Sequence, residues 1–591
     1  MNIDALIVII VLIIVLISLY FELLGTAFTF LIAVAILGVF GILTPNEIIS
    51  GFSNEQIAVI VMLLILGDVI RRSSVVEYFF NNFFKRANTY NSYMRRMMVV
   101  VGFFSAFVNN TPLVAIMMPY VHNWSKRHKI APSKLLIPLS YAAILGGSCT
   151  LIGTSTNLIV SGFVIDQNII KELKPLDLFD FVYVGLPMLI IGFIYILTIG
   201  KKLLPSNTDI LSEVTNSIRQ YLFETEVRKH SHLIGKTIKE SDLLNLEGLS
   251  LFKIIRNNYN IISASGDTKI EESDRFIFSG EKEIITDLIN KQDSGFTFPL
   301  VGMLSKKNHT DIIEIVISHN STLITKKVKE INFRKRYNSG IIAIHRNGEN
   351  ISQKIEDIRL KAGDVLLLLT DNDLVSRDIS QDFYFISKVK EISKPQLYKT
   401  IALIGGTALA ILLSALGLVP LFIALLLLLI LLFGIKIASP KDIHKNLDFN
   451  LIFIIALSLA FGTAMIKTGV AGIIADLLIN IFIPFGTLSI LFGIYFVTTI
   501  LAAYITNKAA VAITFPIALT MAVNLNLNPM PFILIVAFAA AANFMTPIGY
   551  QTNIMVYGPG GYKFRDFFRI GFPLTIIYMI VTVLILYFMY F

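Results

Sequence analysis

Apolar and polar positions divide the 591 residues into three blocks. Residues 1–200 and 400–591 are built from apolar runs that approach the ~20 residues a helix needs to cross a bilayer, whereas 201–399 are polar and charged. The first run, MNIDALIVIIVLIIVLISLYF, has no basic segment ahead of it and no small-residue cleavage site. It reads as a retained first helix, not a signal peptide. In the middle block, short β-rich runs such as DVLLLLT (364–370) alternate with charged turns, as in a soluble domain.

The pattern repeats within itself. VNNTPLVAIMMP (108–119) aligns with ITNKAAVAITFP (505–516), and TLIGTSTNLIVSG (150–162) with TPIGYQTNIMVYG (546–558). LILGDVIRRSSVV (64–76) aligns more weakly with LAFGTAMIKTGVA (459–471). Three matches in one order, at an offset of 395–397, make a duplicated membrane domain. The middle block repeats at an offset of 90: HSHLIGKTIKE (230–240) on NSTLITKKVKE (320–330), Arg256 on Arg346, Asp274 on Asp364. The expected organisation is a first membrane repeat at 1–204, small domains at 205–295 and 296–394, and a second membrane repeat at 395–591.

Composition supports a polytopic membrane protein: 55% of residues are hydrophobic and 15% charged, against about 25% charged in soluble proteins. The net charge of +9 is therefore a matter of topology, and no nucleic-acid partner is expected. Basic residues cluster at Arg71, Arg72, Lys85, Arg86, Arg95 and Arg96, again at Lys126–Lys134, and at Lys201 and Lys202. In the second half they cluster at Lys436–Lys445 and Lys563–Arg569, while the loops at 44–56 and 522–530 hold none. The positive-inside rule makes the clusters cytoplasmic. Arg96 and Lys126 bracket 29 residues without Asp, Glu, Lys or Arg, too few for two crossings of ~20 each, so 97–125 is expected to be a re-entrant hairpin. With five spans and one hairpin per half, the N-terminus lies outside, the middle block inside, and the second half is inverted. Such inverted repeats with interrupted helices are the architecture of secondary transporters. The lone cysteine, Cys149, excludes an intramolecular disulfide and reads as a core thiol.

Four polar breaks interrupt the apolar runs: Asn109-Asn110-Thr111, Gly153–Asn157, Thr506-Asn507-Lys508 and Gly549–Asn553. Half-helix N-termini suit an anion, and unwound carbonyls with Asn and Thr oxygens suit Na⁺. The bland alternative is helix–helix glue, since Asn, Thr and Gly are common at membrane packing interfaces. From Leu477 to Tyr562 the only charged residue is Lys508, and 97–165 contains no Asp or Glu. A cation at membrane depth costs at least ~2.5–3.5 kcal/mol. A core with neutral donors, one lysine and no carboxylate points to an anion as cargo.

At these motifs the sequence resembles the divalent anion:sodium symporter family of the ion transporter superfamily. NNT and TNK are similar to its two hairpin-tip motifs, and GTSTN and GYQTN to its helix breaks. The resemblance implies a usually dimeric, elevator-type transporter of a small divalent anion, sulfate or a C4-dicarboxylate, coupled to Na⁺ or H⁺ in the cell (inner) membrane. It puts Asn110, Thr111, Thr156, Asn157, Asn507, Lys508, Thr552 and Asn553 at the substrate. Asn109, Asn110 and Gly153 would frame one Na⁺ site; Thr506, Asn507 and Gly549 the other. Ser155-Thr156 and Gln551-Thr552 replace the family's prolines, and Lys508 replaces a threonine. Lys508 then either pairs with the anion, stands in for a sodium, or bonds loop carbonyls.

The two middle domains resemble TrkA-C domains, the C-terminal modules of regulators of K⁺ conductance, through Ser231–Glu240 and the Gly363–Leu366 corner. That resemblance extends to anion permeases with two such domains between the membrane halves, some assigned to sulfate. It leaves open a small-molecule or nucleotide regulator and a purely structural role at 205–394; no Gly-x-Gly-x-x-Gly occurs in 201–399. His230, His232, His309, His319 and His345 lack metal-ligand spacing and read as surface residues. No enzyme and no bound cofactor is expected. The competing readings are a Na⁺/H⁺ antiporter, a ligand-gated channel and a non-transporting sensor.

Overall fold

A computed structural model describes the chain except for residues 1, 22, 54, 73–83, 85–86, 168, 171–172, 208–221, 228–230, 242, 244–248, 257–259, 263–266, 273, 281–295, 298–309, 319–320, 332, 338, 347–348, 351–356, 372–381, 387–396 and 439–448. The first apolar block folds into α1 (Ile3–Tyr20), α2 (Thr26–Val39), the short α3 (Pro45–Ser50) and α4 (Glu55–Arg72). There follow α5 (Tyr90–Ser105), α6 (Asn110–Arg127), α7 (Ser133–Gly147), α8 (Ser155–Asp166) and α9 (Val182–Tyr195), the last continuing through a π turn to Leu203. Thr44 starts α3 with a capping box, its hydroxyl accepting from the Glu47 N–H while the Glu47 carboxylate returns to the Thr44 N–H.

The middle block forms two antiparallel sheets. The first holds β1 (Leu222–Val227), β2 (Leu249–Arg256), β3 (Asn260–Ile262), β4 (Arg275–Gly280) and β5 (Phe296–Thr297). The second holds β6 (Thr310–Ile317), β7 (Ser339–Arg346), β8 (Glu349–Asn350), β9 (Val365–Asp371) and β10 (Phe383–Phe385), with α10 (Val328–Ile331) and α11 (Phe333–Tyr337) between β6 and β7. The orders β3-β2-β4-β1-β5 and β10-β6-β9-β7-β8 are the same arrangement read in opposite directions. The strand starting at Phe296 completes the first sheet by pairing with β1. The two copies share one ion pair. Arg256 donates to both carboxylate oxygens of Asp274 at 2.8 Å, and Arg346 to both of Asp364 at 2.7 Å. The carboxylate beside each guanidinium raises the Arg256 and Arg346 pKa.

The second apolar block contains α12 (Gly406–Ala415), α13 (Leu421–Gly434), α14 (Phe449–Lys467), α15 (Val470–Phe482), α16 (Thr487–Tyr504), α17 (Asn507–Asn524), α18 (Pro529–Ala541), α19 (Gln551–Tyr557) and α20 (Phe564–Tyr590). Tyr90 and Thr487, Asn110 and Asn507, Ser133 and Pro529, and Ser155 and Gln551 begin corresponding helices, 397 or 396 positions apart. Pro119 and Pro516 stand at equivalent points inside α6 and α17. Among the described residues four helices are long and apolar enough to cross a membrane, or up to six if each bent pair is one span. The fold is that of a polytopic, multi-pass membrane protein.

One buried core runs through both apolar blocks and takes in Val316, Val365 and Ile386 of the second sheet domain. A separate core, including Ile313, Ile315, Leu366 and Leu368, fills the other side of that sheet. The sheet is thus covered on both faces. This corrects one reading: His345 is not a surface residue but 3% exposed. It pairs with Val365 across the ladder, and burial pushes its pKa down. His232 is exposed, and His230, His309 and His319 lie outside the described residues. Cys149 is buried.

Candidate functional site

All four polar breaks are real interruptions of helix. Residues 106–109 part α5 from α6, 148–154 part α7 from α8, 505–506 part α16 from α17, and 542–550 part α18 from α19. Local chemistry explains where helix resumes. The Asn109 side chain accepts from the Thr111 N–H at 3.3 Å, and the Thr506 hydroxyl from the Ala509 N–H at 3.2 Å.

Each half fastens its break with the same bonds. The Asn157 Nδ2 donates to the Thr150 carbonyl at 2.8 Å, and Asn553 Nδ2 to the Thr546 carbonyl at 3.1 Å. The Thr150 hydroxyl donates to the Ala106 carbonyl and the Thr546 hydroxyl to the Ala503 carbonyl. Glycine is required at the head of each break. A Cβ on Gly153 would sit 2.4 Å from the Gly147 carbonyl oxygen, and one on Gly549 1.7 Å from Asn543 Nδ2. Gly147 and Asn543 are themselves 396 positions apart.

The halves meet at the first helix pair. Asn110 is 2% exposed and Tyr550 8%. The amide orientation that satisfies every partner has Asn110 Oδ1 accepting from the Tyr550 hydroxyl at 2.7 Å. Its Nδ2 then donates to the Gly153 and Ala143 carbonyls, each at 3.2 Å. The Tyr550 hydroxyl also lies 3.0 Å from Thr154 Oγ1, and Thr111 Oγ1 donates to Gln551 Oε1 at 2.9 Å. The starts of α6, α8 and α19 therefore converge on one phenol. Nearby, the Ser140 hydroxyl lies 2.6 Å from Asn553 Oδ1 and 2.8 Å from Thr552 Oγ1, and Thr156 Oγ1 donates to Thr154 Oγ1 at 3.3 Å. A recess of about 470 Å³, counted with its open mouth, lies against α4 and is lined by Asn109 and Ser155 among apolar side chains.

The structure thus brings Asn110, Thr156 and the Gly153 carbonyl into one cluster at Tyr550, with Thr111 bonded to the adjoining Gln551, Thr552 and Asn553 bonded to Ser140, and Asn109 next to Asn110 in the chain. At the other helix pair, Asn507 and Lys508 occupy the first turn of α17, half-buried. Asn507 Oδ1 is buried and accepts no hydrogen bond from the described residues; the same holds for Asn157 Oδ1. A lysine in the first turn opposes the helix dipole. Sequence reasoning missed Tyr550, Gln551, Ser140 and Asn543. Tyr550 and Gln551 had a signal, as polar residues inside the GYQTN break, but their partners lie in the other half. No described residue of the network is a carboxylate, and no described group of His, Cys, Asp or Glu is arranged to hold a metal.

Comparison with known proteins fits this layout. A family model described as citrate transporter matches residues 7–495 and 411–591. An uncharacterized transporter of Synechocystis sp. is 31% identical over 579 residues, covering 95% of this chain and 93% of that protein. An uncharacterized transporter of Escherichia coli is 26% identical, covering 92% of each. Sodium/sulfate cotransporter 1 of Chlamydomonas reinhardtii is 24% identical over 95% of this chain and 87% of its own length. The chain, a transporter and not an enzyme, belongs to the citrate transporter family.

Proposed function

We propose that the protein is a secondary transporter that carries a small divalent anion, sulfate first, together with Na⁺ (or H⁺) across the cell membrane. The observation that carries this reading is the meeting of three helix starts at Tyr550, with only neutral hydroxyls and amides around Asn110 and Thr111. Helix N-termini and hydroxyl donors bind an oxyanion without a counter-cation. Several relatives that align along nearly all of this chain are named as sodium/sulfate cotransporters. In this reading Lys508 pairs with the anion. The unsatisfied Asn507 Oδ1 and the backbone of Thr506 and Gly549 offer a hard cation its oxygens, and Asn109, Asn110 and Gly153 frame the other cation position. The repeated helix order supports the repeat; the charge pattern adds its inversion, cytoplasmic middle domains and an outside N-terminus, and the family resemblance adds elevator-type movement and a homodimer. TrkA-C-like binding of a small molecule at 205–394 is the regulatory part of the reading.

Counterflow tests the cargo without needing a coupling ion. Proteoliposomes loaded with unlabelled sulfate, succinate or citrate would be offered the labelled anion. Accumulation of labelled sulfate is expected to exceed that of the other two. Exchange of none of the three would defeat the reading.

A further inference from the structure

We infer that the second cytoplasmic domain is a latch seated on the helices that carry the binding network, an inference that rests on the transport reading. Three contacts place it there. Glu314 Oε2 on β6 lies 4.0 Å from His122 Nε2 on α6, both side chains buried. The corner before β9 lies against α19: a Cβ on Gly363 would stand 3.0 Å from Ile554 Cγ2 and 3.2 Å from the Ile554 carbonyl. Reciprocally, a Cβ on Gly558 would stand 2.6 Å from the Gly363 carbonyl and 2.7 Å from Val365 Cγ2. Gly363 has φ +82°, a backbone conformation that favours glycine, and α19 packs closely against it. The docked helices α6 and α19 are those whose first turns hold Asn110, Thr111, Gln551, Thr552 and Asn553.

The tandem repeat supplies a control within the chain. On the docked face of the second sheet, Val316 pairs with Val365 and Glu314 with Leu367. The same positions in the first sheet, 90 residues earlier, pair Glu226 with Arg275 and Glu224 with Ile277. The corner glycine corresponds to Ser273. One cross-strand pair thus differs in character between the copies, Val316 with Val365 in the docked sheet and Glu226 with Arg275 in the first, while an acid opposite an aliphatic residue recurs in both. Since both copies share strand order and the Arg–Asp pair, the folding of the sheet does not explain the apolar pair; seating on α6 and α19 does. The chain enters the two domains beyond Leu203 and returns at Leu397, on helices without a break. Movement of α6 and α19 relative to those helices must therefore either drag the domain or undo the contact. The latch holds the module still until it is released.

The test exchanges that pair in one copy for the pair of the other. In the full-length protein, Val316→Glu with Val365→Arg recreates the cross-strand pair of the first sheet. Nitroxide labels on Arg127→Cys and Asp357→Cys, both exposed and on opposite sides of the contact, report the seating; Cys149 is buried and stays unlabelled. The expected result is one narrow distance in the unexchanged protein, a broad distribution in the exchanged one, and initial sulfate uptake faster by about fivefold or more. An unchanged distance distribution overturns the latch, as does released seating with uptake unchanged or slower. Should the charged pair prevent folding, Val316→Thr with Val365→Thr keeps side-chain shape and β propensity and is read in the same way. If the unexchanged protein moves no anion, the transport reading fails, while the distance measurement still decides whether the domain is seated.

Discussion

Tyr550 is the residue on which the two halves depend most directly. Its hydroxyl satisfies Asn110 Oδ1 and adjoins Thr154, all in a buried setting. Tyr550→Phe keeps the ring and leaves a buried amide oxygen without its donor, which costs about 1–3 kcal/mol. A lower midpoint of thermal unfolding for the purified protein is expected; an unchanged midpoint would show that the bond contributes nothing. Lys508→Thr tests the proposed anion contact. Loss of a charge-assisted bond of about 1.5–3 kcal/mol is expected to raise the KM for sulfate by about tenfold to a hundredfold, without new sodium dependence. A gain of sodium dependence would instead make Lys508 a tethered cation. Asn109 and Thr506 were legible as members of polar breaks, but that their side chains cap α6 and α17 is a finding of the structure. The role of Tyr550 was not legible, because its partners are hundreds of positions away along the chain.

At the scale of elements, the breaks were legible as polar interruptions of apolar runs, and the structure interrupts helix at all four. The second sheet was legible from its Asp-initiated run DVLLLLT, and the 90-residue repeat that sets Asp274 on Asp364 marks DRFIFSG (274–280) as its counterpart; they fold as β9 and β4. His345 was misread because period-2 alternation marks one buried face and does not show that the opposite face is also covered. The ion pairs give the sheets their element-scale predictions. Asp364 is 1% exposed, so Arg346→Met strands a buried carboxylate and is expected to destabilise the second domain by about 3–5 kcal/mol. Denaturant titration, followed by probes within that domain, measures it. Acid should act through Asp382. Burial alone would raise its pKa, but bonds from the Tyr337 hydroxyl, the Thr322 N–H and the Ser321 and Thr322 hydroxyls together hold it below its ordinary 3.8. A carboxyl lowered on folding stabilises the folded state above its unfolded pKa and loses that effect as pH falls through the folded one. Asp382→Asn is therefore expected to flatten the loss of domain stability below about pH 4. An unaltered acid profile would contradict that assignment.

For the whole molecule, the repeat at 396–397 ties sequence, helix starts and hydrogen bonds together, since the Thr-to-carbonyl and Asn-to-carbonyl bonds recur at that spacing. The placement of the second sheet domain on α6 and α19 was not legible, because it joins segments whose patterns are each complete on their own. The proposed function draws on that assembly: neutral donors from both halves around one point, an unsatisfied Asn507 oxygen, and a lysine at a helix start. Its most direct test is the initial rate of labelled sulfate uptake by proteoliposomes under an imposed inward Na⁺ gradient, against the same vesicles with Na⁺ equal on both sides. The account predicts uptake that rises with the gradient and collapses when Na⁺ is replaced by choline at constant pH. A sulfate uptake rate no greater than that of protein-free vesicles, under either a Na⁺ or a proton gradient, would contradict it.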